Sequence, residues 1–288
     1  EHWIYGPGVC DMKGGNFVAL SALRKIKALH DAIENIDVLM VSDEESGSDD
    51  SKLITAEIAK DYDLCLVFEA AGPESDIVVA RKGIATYEFC LTGKAAHAGN
   101  HYSEGIDANL AAAHMVIALA SLTRLNRGTT VNAGKLVGGI GANTISPSAT
   151  IKVEARFNDG EEKIRVLDAI EDIANYPKIK GVKVELNGGL QRDVMQTSNE
   201  QVLLIESLEN IVGHPFKLEQ RGGVSDANVV AGVGVPTLDG FGPYGDGDHT
   251  IDERANKASL LERVELVTKI LQAYNGSSTA MFNDEHVA

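Results

Sequence analysis

Two apolar segments near the start of the chain, IDVLMVS (36–42) and DLCLVFE (63–69), lack the apolar-polar alternation of a half-exposed strand. A strand that is apolar on both faces has to be covered on both faces, as in a parallel sheet packed between helices. The flanking segments NFVALSALRKIKAL (16–29) and SKLITAEIAKD (51–61) have apolar side chains at helical spacing. The order helix, strand, helix, strand therefore predicts an α/β domain with a mostly parallel sheet flanked by helices.

The pattern changes near Lys82. The segments ATYEFCLTG (85–93) and ATIKVEARF (149–157) alternate with a period of two, as half-exposed antiparallel strands do. Two helical stretches, at about 105–125 and 160–175, are interleaved with strands of this kind. The resulting order strand, helix, strand, strand, helix, strand predicts a ferredoxin-like α+β domain.

The α/β pattern then resumes with the helical segments NEQVLLIESLENIV (199–212) and KASLLERVELVTKILQAY (257–274). A pattern that stops and resumes is typical of a small domain inserted into a larger one. We therefore expect a first part of the larger domain at 1–81, the inserted domain at 82–193 and a second part of the larger domain at 194–288.

Charge and hydropathy narrow the classes of partner. The 288 residues include 42 acidic and 26 basic side chains, and the formal net charge of −16 disfavours a nucleic acid or an anionic membrane surface. The longest apolar stretch, ANLAAAHMVIALASL (108–122), contains Asn109 and His114 and is too short to span a bilayer. It is better interpreted as a buried helix, so we expect no membrane span.

The cysteines bear on the compartment. The three cysteines, Cys10, Cys65 and Cys90, have neither the spacing of a disulfide framework nor that of a zinc knuckle. This favours a reducing compartment, and we expect a cytoplasmic protein. The sequence begins with Glu1 and not with Met, which leaves an exported form open.

Acidic side chains follow both apolar segments of the larger domain. Asp43, Glu44 and Glu45 come just after the first segment, and Glu69 ends the second. In an open α/β sheet, ligands bind beyond the carboxyl ends of the strands. Adjacent carboxylates repel one another, and a bound Zn²⁺ ion, which accepts oxygen and nitrogen ligands, would offset the repulsion. The alternative for such a run of charges is a solvated acidic loop.

Two further motifs carry candidate ligands. Asp11 lies between glycine-rich turns in YGPGVCDMKGGN (5–16), just ahead of a helix, where an aspartate more often caps the helix. His249 lies in the polar segment GPYGDGDHTIDE (242–253), where a lone histidine is usually a surface residue. Each motif by itself leaves both interpretations open.

In their order and spacing, these segments resemble the co-catalytic zinc metallopeptidases of metallopeptidase family 20. That family includes bacterial glutamate carboxypeptidases, aminoacylases, acetylornithine deacetylase, succinyl-diaminopimelate desuccinylase and peptidase T. The resemblance extends over almost the whole chain and includes GKAAHAG (93–99), GANTISPSA (141–149) and RGGVSDAN (221–228). It implies a zinc-peptidase catalytic domain and an inserted domain that acts as a lid and as the surface of a homodimer.

The resemblance also implies two zinc ions, for which Co²⁺ or Mn²⁺ could substitute. Asp11 would bridge the two ions, Glu45 and His249 would complete one site, and Glu69 would bind the other ion. Glu44, next to the ligand Glu45, would be the general base that takes a proton from the attacking water.

In the inserted domain, the resemblance implies that His97 stabilises the developing oxyanion, although a turn histidine is the alternative. Asn143 and Arg156 would hold the free carboxylate of the substrate. Arg156 shares the polar face of its strand with Lys152 and Glu154, so a cross-strand ion pair is an equal alternative.

The first metal motif of the family, His-x-Asp, is not matched by any of the eight histidines in this sequence. We therefore expect further N-terminal sequence that contains strands and this motif, and a second zinc site that these 288 residues leave short of a nitrogen ligand. The chain as given would then be a truncated piece.

The expected function is hydrolysis of an amide bond next to a free carboxylate, in the manner of a glutamate carboxypeptidase, on a small peptide. An N-acyl amino acid deacylase of the acetylornithine deacetylase or aminoacylase type is the first alternative. A catalytically silent, dimeric binding protein is the second.

Overall fold

A computed structural model describes residues 2–276 of the chain. The chain divides into two compact units. The discontinuous unit consists of the residues up to Arg81 and those from Met195 onward, and the inserted unit is Lys82–Val194.

Helices and strands alternate along the chain. The helices are α1 (Lys13–His30), α2 (Lys52–Ala59), α3 (Ala108–Ala120), α4 (Gly160–Asn175), α5 (Asn199–Val212), α6 (Asp226–Gly232) and α7 (Lys257–Tyr274). The strands are β1 (Trp3–Tyr5), β2 (Cys65–Leu66), β3 (Ile77–Arg81), β4 (Gly83–Thr92), β5 (Thr130–Gly138), β6 (Ser148–Phe157), β7 (Lys183–Arg192), β8 (Leu218–Arg221), β9 (Thr237–Leu238), β10 (Gly245–Asp246) and β11 (Arg254–Asn256). Across residues 2–276, no helix is both long enough and apolar enough to cross a membrane.

In the discontinuous unit, β2 pairs in parallel with β9, and β3 pairs in parallel with β8. A separate antiparallel sheet has the order β1, β11, β10. Val18 of α1, Leu204 of α5 and Val267 of α7 are buried in one apolar cluster with residues of β3 and β9. The side-chain amide of Gln201 in α5 donates to the carbonyl oxygens of Val79 and Thr237, at 2.9 and 2.7 Å, and so joins β3 to β9. The expected α/β class is confirmed.

The prediction of a buried strand at 36–42 is wrong. This segment is not a strand, and Val38, Leu39 and Met40 are about half exposed. A strand exists only through hydrogen bonds to a neighbour, and within residues 2–276 no strand pairs with this segment. The apolar composition predicted burial, but composition does not supply the pairing partner.

The inserted unit is a four-stranded antiparallel sheet in the order β5, β6, β4, β7, with α3 and α4 packed on one face. Along the central strand β4, Ala85, Tyr87, Phe89 and Leu91 are buried and alternate with more exposed residues. Period-two alternation places one face of the sheet on the core and the other toward solvent. The strand and helix order is the ferredoxin-like one expected from the sequence.

A buried charge cluster lies at the start of α4. The Glu162 side chain is 2% exposed, and its carboxylate accepts from the guanidinium groups of Arg124 and Arg165 and from the hydroxyl of Thr129. The hydrogen bond from Arg165, with the contacts of Thr129 and Arg124, lowers the pKa of Glu162 from 4.5 to about 2. The cluster ties the turn before β5 to α4.

Replacing Glu162 by glutamine should therefore destabilise the protein in a pH-dependent way. Glu162→Gln keeps the shape and removes the charge, so we expect a loss of about 2 kcal/mol in the free energy of unfolding at neutral pH. A lowered pKa stabilises the fold above pH 4.5, and this contribution disappears as the pH falls toward about 2. Urea unfolding of both proteins across this range measures the difference.

The matched control is Glu161→Gln, because Glu161 is the exposed neighbour that pairs with Arg127 at the surface. We expect a change of less than about 1 kcal/mol at any pH, as for other exposed ion pairs. A difference between wild type and Glu162→Gln that stayed constant down to pH 2 would contradict this account of the cluster.

Candidate metal centre

Asp11 lies in the loop that joins β1 to α1. The start of α1 packs closely against Phe68, the residue before Glu69. A Cβ atom at Gly15 would lie 1.8 Å from the Phe68 carbonyl oxygen. Only glycine allows this approach. The glycines of the motif therefore bring the Asp11 loop and the β2 strand end together.

The Asp11 loop is held by a buried carboxylate from the far end of the chain. Glu253 is 5% exposed. One of its oxygens accepts from the backbone N–H of Gly8 at 2.7 Å, and the other accepts from those of Cys10 and Asp11 at 2.9 and 3.0 Å. Burial acts against the ionised form, but the hydrogen bonds from these three N–H groups leave the pKa of Glu253 below its usual value.

The acidic run 43–45 divides its residues between two roles. Asp43 turns back, and its Oδ2 accepts from the backbone N–H groups of Asp50 and Ser51 at 3.0 Å each. Hydrogen bonding, first from Ser51, lowers the pKa of Asp43. Glu44 and Glu45 begin a short 3₁₀ helix, Glu44–Ser46. Asp43 is thus a turn residue, whereas Glu45 contacts His249.

His249 lies in the turn of the hairpin formed by β10 and β11. The Arg254 guanidinium closes the base of this hairpin with two hydrogen bonds to the Asp246 carboxylate, at 2.8 and 3.0 Å. The same guanidinium lies over the ring of Trp3, 4.4 Å from its centroid. The hairpin presents His249 with its Nε2 3.1 Å from Asp11 Oδ2 and 3.4 Å from Glu45 Oε2.

Asp11, Glu45 and His249 therefore form a cluster whose ligating atoms all lie within 4.8 Å of one another. In the described part of the chain, no other group of three such side chains meets this criterion. Two carboxylates and one imidazole suit a zinc ion, with a coordination position left over. The side chains of His249 and Glu45 are 70% and 58% exposed, so an ion held by this cluster would be accessible from solvent.

The electrostatics of the cluster show excess negative charge. Burial and then the charge of Asp11 raise the pKa of Glu45, although His249 acts against this. The hydrogen bond that His249 donates to Asp11, together with the charges of Glu45 and Asp11, raises the pKa of His249. A cation in the cluster would offset the repulsion that these shifts reflect.

Glu69 follows β2 and is 8% exposed. The carboxyl groups of Asp11 and Glu44 are close enough to act on Glu69 electrostatically. Burial, with the charges of Asp239 and Asp11, raises the pKa of Glu69 far above its usual range. Glu69 thus lies near Asp11 without belonging to the cluster of three.

Behind Glu69 lies a buried network that sequence reasoning missed. Asp239 is wholly buried and accepts from Arg81 Nε at 2.7 Å and Ser225 Oγ at 2.8 Å. Its other oxygen accepts from the N–H groups of Gly240 and Glu69, at 2.6 and 3.3 Å. Asp239 lies in the mostly apolar segment VPTLDGF (235–241), and a charged residue in such a segment was the available signal.

The remaining candidates belong to the inserted unit. His97 Nδ1 accepts from the N–H groups of Gly99 and Asn100 at 3.1 Å each, which is the turn geometry that the sequence left open. A β-bridge from His97 to Thr144 brings the His97 and Asn143 segments together.

Arg156 Nε donates to Glu154 Oε1 at 2.8 Å. This ion pair of Arg156 is with a residue of its own strand. A cross-strand pair on the same face is that of Lys152 with Glu88, at 3.0 Å.

Comparison with known proteins identifies the family of the chain. A sequence profile of the peptidase family M20/M25/M40 matches residues 1–273. The chain belongs to this family. It is 30% identical over 254 residues to carboxypeptidase G2 of Pseudomonas sp. (strain RS-16), a match that covers 85% of this chain and 61% of that protein. The resemblance stated from the motifs is thus confirmed, and this chain spans about three fifths of the length of carboxypeptidase G2.

Two other comparisons cover more of both chains. A succinyl-diaminopimelate desuccinylase of Gluconacetobacter diazotrophicus is 26% identical over 296 residues, which covers 95% of this chain and 74% of that protein. The crystal structure of aminopeptidase PepT from Bacillus cereus matches with a TM-score of 0.73 and 26% identity, over 94% of this chain and 74% of that chain. The fold is that of this peptidase family.

The contact between Asp11 and His249 can be tested in the metal-free protein. Because the Asp11 hydrogen bond is the largest cause of the raised pKa of His249, Asp11→Asn should lower that pKa toward the ordinary value of 6.5. An NMR titration of the His249 imidazole measures it. Asp37→Asn is the control, since Asp37 bonds to Tyr62 instead. An unchanged His249 pKa in Asp11→Asn would contradict the contact.

Proposed function

We propose that the protein is a zinc-dependent hydrolase that cleaves an amide bond next to a free carboxylate, as a glutamate carboxypeptidase-like exopeptidase acting on small peptides. The observation that carries the proposal is the convergence of Asp11, Glu45 and His249, with Glu44 adjacent to Glu45. The similarity to carboxypeptidase G2 supports the choice of a carboxypeptidase.

The oxygen and nitrogen donors of the site could be divided between two zinc ions. Asp11, Glu45 and His249 would hold one zinc ion, and Asp11 with Glu69 would hold a second. Co²⁺ and Mn²⁺ accept the same oxygen and nitrogen donors and could substitute. When bound, zinc would polarise the scissile carbonyl and lower the pKa of a water molecule toward neutrality.

Glu44 is the proposed general base. It shares the short 3₁₀ helix with Glu45, so a carboxylate lies beside a ligand without itself belonging to the cluster of three. Glu44 would take a proton from the attacking water and then donate it to the nitrogen of the leaving amine. The carbonyl carbon gains the hydroxyl group, the C–N bond breaks, and the products are a carboxylic acid and an amine.

His97 is the proposed oxyanion donor. Since its Nδ1 accepts two backbone N–H bonds, the neutral ring carries its proton on Nε2. That N–H is then a preformed donor for the developing oxyanion. The turn geometry of His97 therefore supports the role instead of competing with it.

The inserted unit is also the proposed surface of a homodimer. Its strand β5 lies at the edge of the four-stranded sheet, and Leu136 and Val137 on this strand are half exposed or more. An exposed edge strand with apolar side chains is suited to association with a second copy.

The proposed compartment is the cytoplasm. The thiols of Cys10, Cys65 and Cys90 are free. Free cysteines suit a reducing environment.

A substrate panel distinguishes the proposed activity from its alternatives. Zinc-loaded protein should release the amino acid from acyl-glutamates and dipeptides, with Glu44→Gln slower by about two to four orders of magnitude and still zinc-bound. Preference for acetylornithine would favour a deacylase, which the similarity to a desuccinylase supports. Zinc binding without turnover on any substrate would indicate a silent binding protein. Loss of zinc in Glu44→Gln would make Glu44 a ligand.

The role of Arg156 can be tested by the charge of the substrate. If Arg156 leaves Glu154 to bind the substrate carboxylate, Arg156→Ala should raise KM for acidic substrates about tenfold and leave amidated analogues unaffected. Lys152→Ala is the control, because Lys152 pairs with Glu88 on the same face. Equal losses on acidic and amidated substrates would indicate that Arg156 has a structural role, as in its ion pair with Glu154.

A further inference from the structure

Glu253 contacts both segments that carry the ligands Asp11 and His249. It belongs to the same hairpin as His249, four residues further along the chain, and it directly precedes β11. Its carboxylate accepts the backbone N–H groups of Gly8, Cys10 and Asp11. Its own carbonyl oxygen accepts from the N–H of Gly6 at 3.1 Å. One buried residue thus joins the His249 hairpin to the whole of the Asp11 loop.

We propose that Glu253 is a positioning residue of the metal centre, which sets the direction of the Asp11 side chain and fixes its distance to His249. This inference rests on the proposed function, because it needs Asp11 and His249 to be metal ligands. Glu253 itself is not proposed as a ligand, since both of its carboxylate oxygens already accept backbone hydrogen bonds.

The positions of the hydrogen bonds carry the argument. The N–H groups of Cys10 and Asp11 are consecutive, and both point at the same oxygen of Glu253. Two adjacent N–H groups with a common acceptor fix the orientation of the peptide plane that precedes the Asp11 Cα atom. The direction in which the Asp11 side chain leaves the backbone is then fixed as well, toward His249 Nε2 at 3.1 Å.

Strand pairing fixes the other end of the connection. Trp3, Ile4 and Tyr5 of β1 pair with Asn256, Ala255 and Arg254 of β11. The Asp11 loop directly follows β1, and Glu253 directly precedes β11. The separation between loop and hairpin is therefore set by main-chain hydrogen bonds, and Glu253 extends that ladder as far as Asp11.

Burial makes this arrangement sensitive to substitution. Glu253 is 5% exposed, so water could not easily replace its carboxylate as the acceptor for the three N–H groups. Glutamine offers one carbonyl oxygen and one NH₂ group, and the NH₂ group would face N–H donors. Glu253→Gln should therefore lose at least one of the bonds that direct Asp11, and with it the ligand geometry.

The test measures zinc affinity by competition with a chromophoric chelator, in the whole protein and without reference to activity. Glu253→Gln should raise the zinc dissociation constant about 10- to 100-fold, as is typical when a residue that orients a ligand is lost. The absorption bands of the Co²⁺-substituted protein should shift in the same variant. The control is Glu162→Gln, another buried glutamate that accepts hydrogen bonds, which should leave zinc affinity unchanged.

A double-mutant comparison separates positioning from general destabilisation. If Glu253 acts through Asp11, Glu253→Gln should change the dissociation constant far less in an Asp11→Asn background than in wild type. Equal losses in both backgrounds would overturn the proposal. If Glu253→Gln does not fold by circular dichroism, Glu253→Asp takes its place with the same expected loss, because the shorter side chain cannot reach all three N–H groups.

The possible failures are distinguishable. A wild-type protein that binds no zinc would refute the metal centre, and with it this inference. A wild type that binds zinc, together with a Glu253→Gln variant of equal affinity and unchanged Co²⁺ spectrum, would refute the role of Glu253 alone and leave the proposed function standing.

Discussion

Repulsion between carboxylates is the constraint on which the candidate site depends. Asp11 and Glu45 lie around one imidazole with Glu69 nearby, and the pKa values of Glu45 and Glu69 are raised first by burial and then by neighbouring carboxylates. A fold can hold such groups together only if their backbones are fixed independently of their charges. Here the fixing elements are backbone N–H groups, the strand pairings and the buried ion pair of Arg81 with Asp239.

Local sequence patterns were sufficient for the helices. Helices α5 and α7 have the predicted bounds, because apolar periodicity agrees there with a capping residue at each start. Ser198 accepts from the N–H of Gln201, and Asn256 accepts from that of Ser259. In these cases every signal is local, so the sequence contains it.

Strand pairing was the part that the sequence could not supply. The segment 36–42 has the composition of a buried strand but is largely exposed. The strands β2 and β9 are short, and they pair although more than half of the chain separates them in sequence. Pairing depends on a partner far away in sequence, and composition does not identify it. The period-two strands β4 and β6 were easier to predict, because one polar and one apolar face determine both the element and its register.

The candidate site shows the same division. Family resemblance placed Asp11, Glu45 and His249 in one cluster, but nothing in the run 43–45 showed that Asp43 turns back to bond with Asp50 and Ser51. Residues that hold ligands through backbone groups leave no spacing signal at all. Glu253 was visible only as one acid in a polar loop, and its three partners lie more than 240 residues away.

Burial varies systematically across the site. Glu69 is 8% exposed and the Asp11 side chain 19%, whereas the side chains of Glu45 and His249 are 58% and 70% exposed. Charges interact most strongly where water is excluded, so a bound cation would be stabilised most by Glu69 and Asp11. Ligand exchange and entry of water are easiest on the side of Glu45 and His249. The proposed base, Glu44, is next to the exposed Glu45 in the chain and acts electrostatically on the buried Glu69. It therefore lies between the exposed and the buried parts of the site, which is where a group that takes a proton from incoming water would have to be.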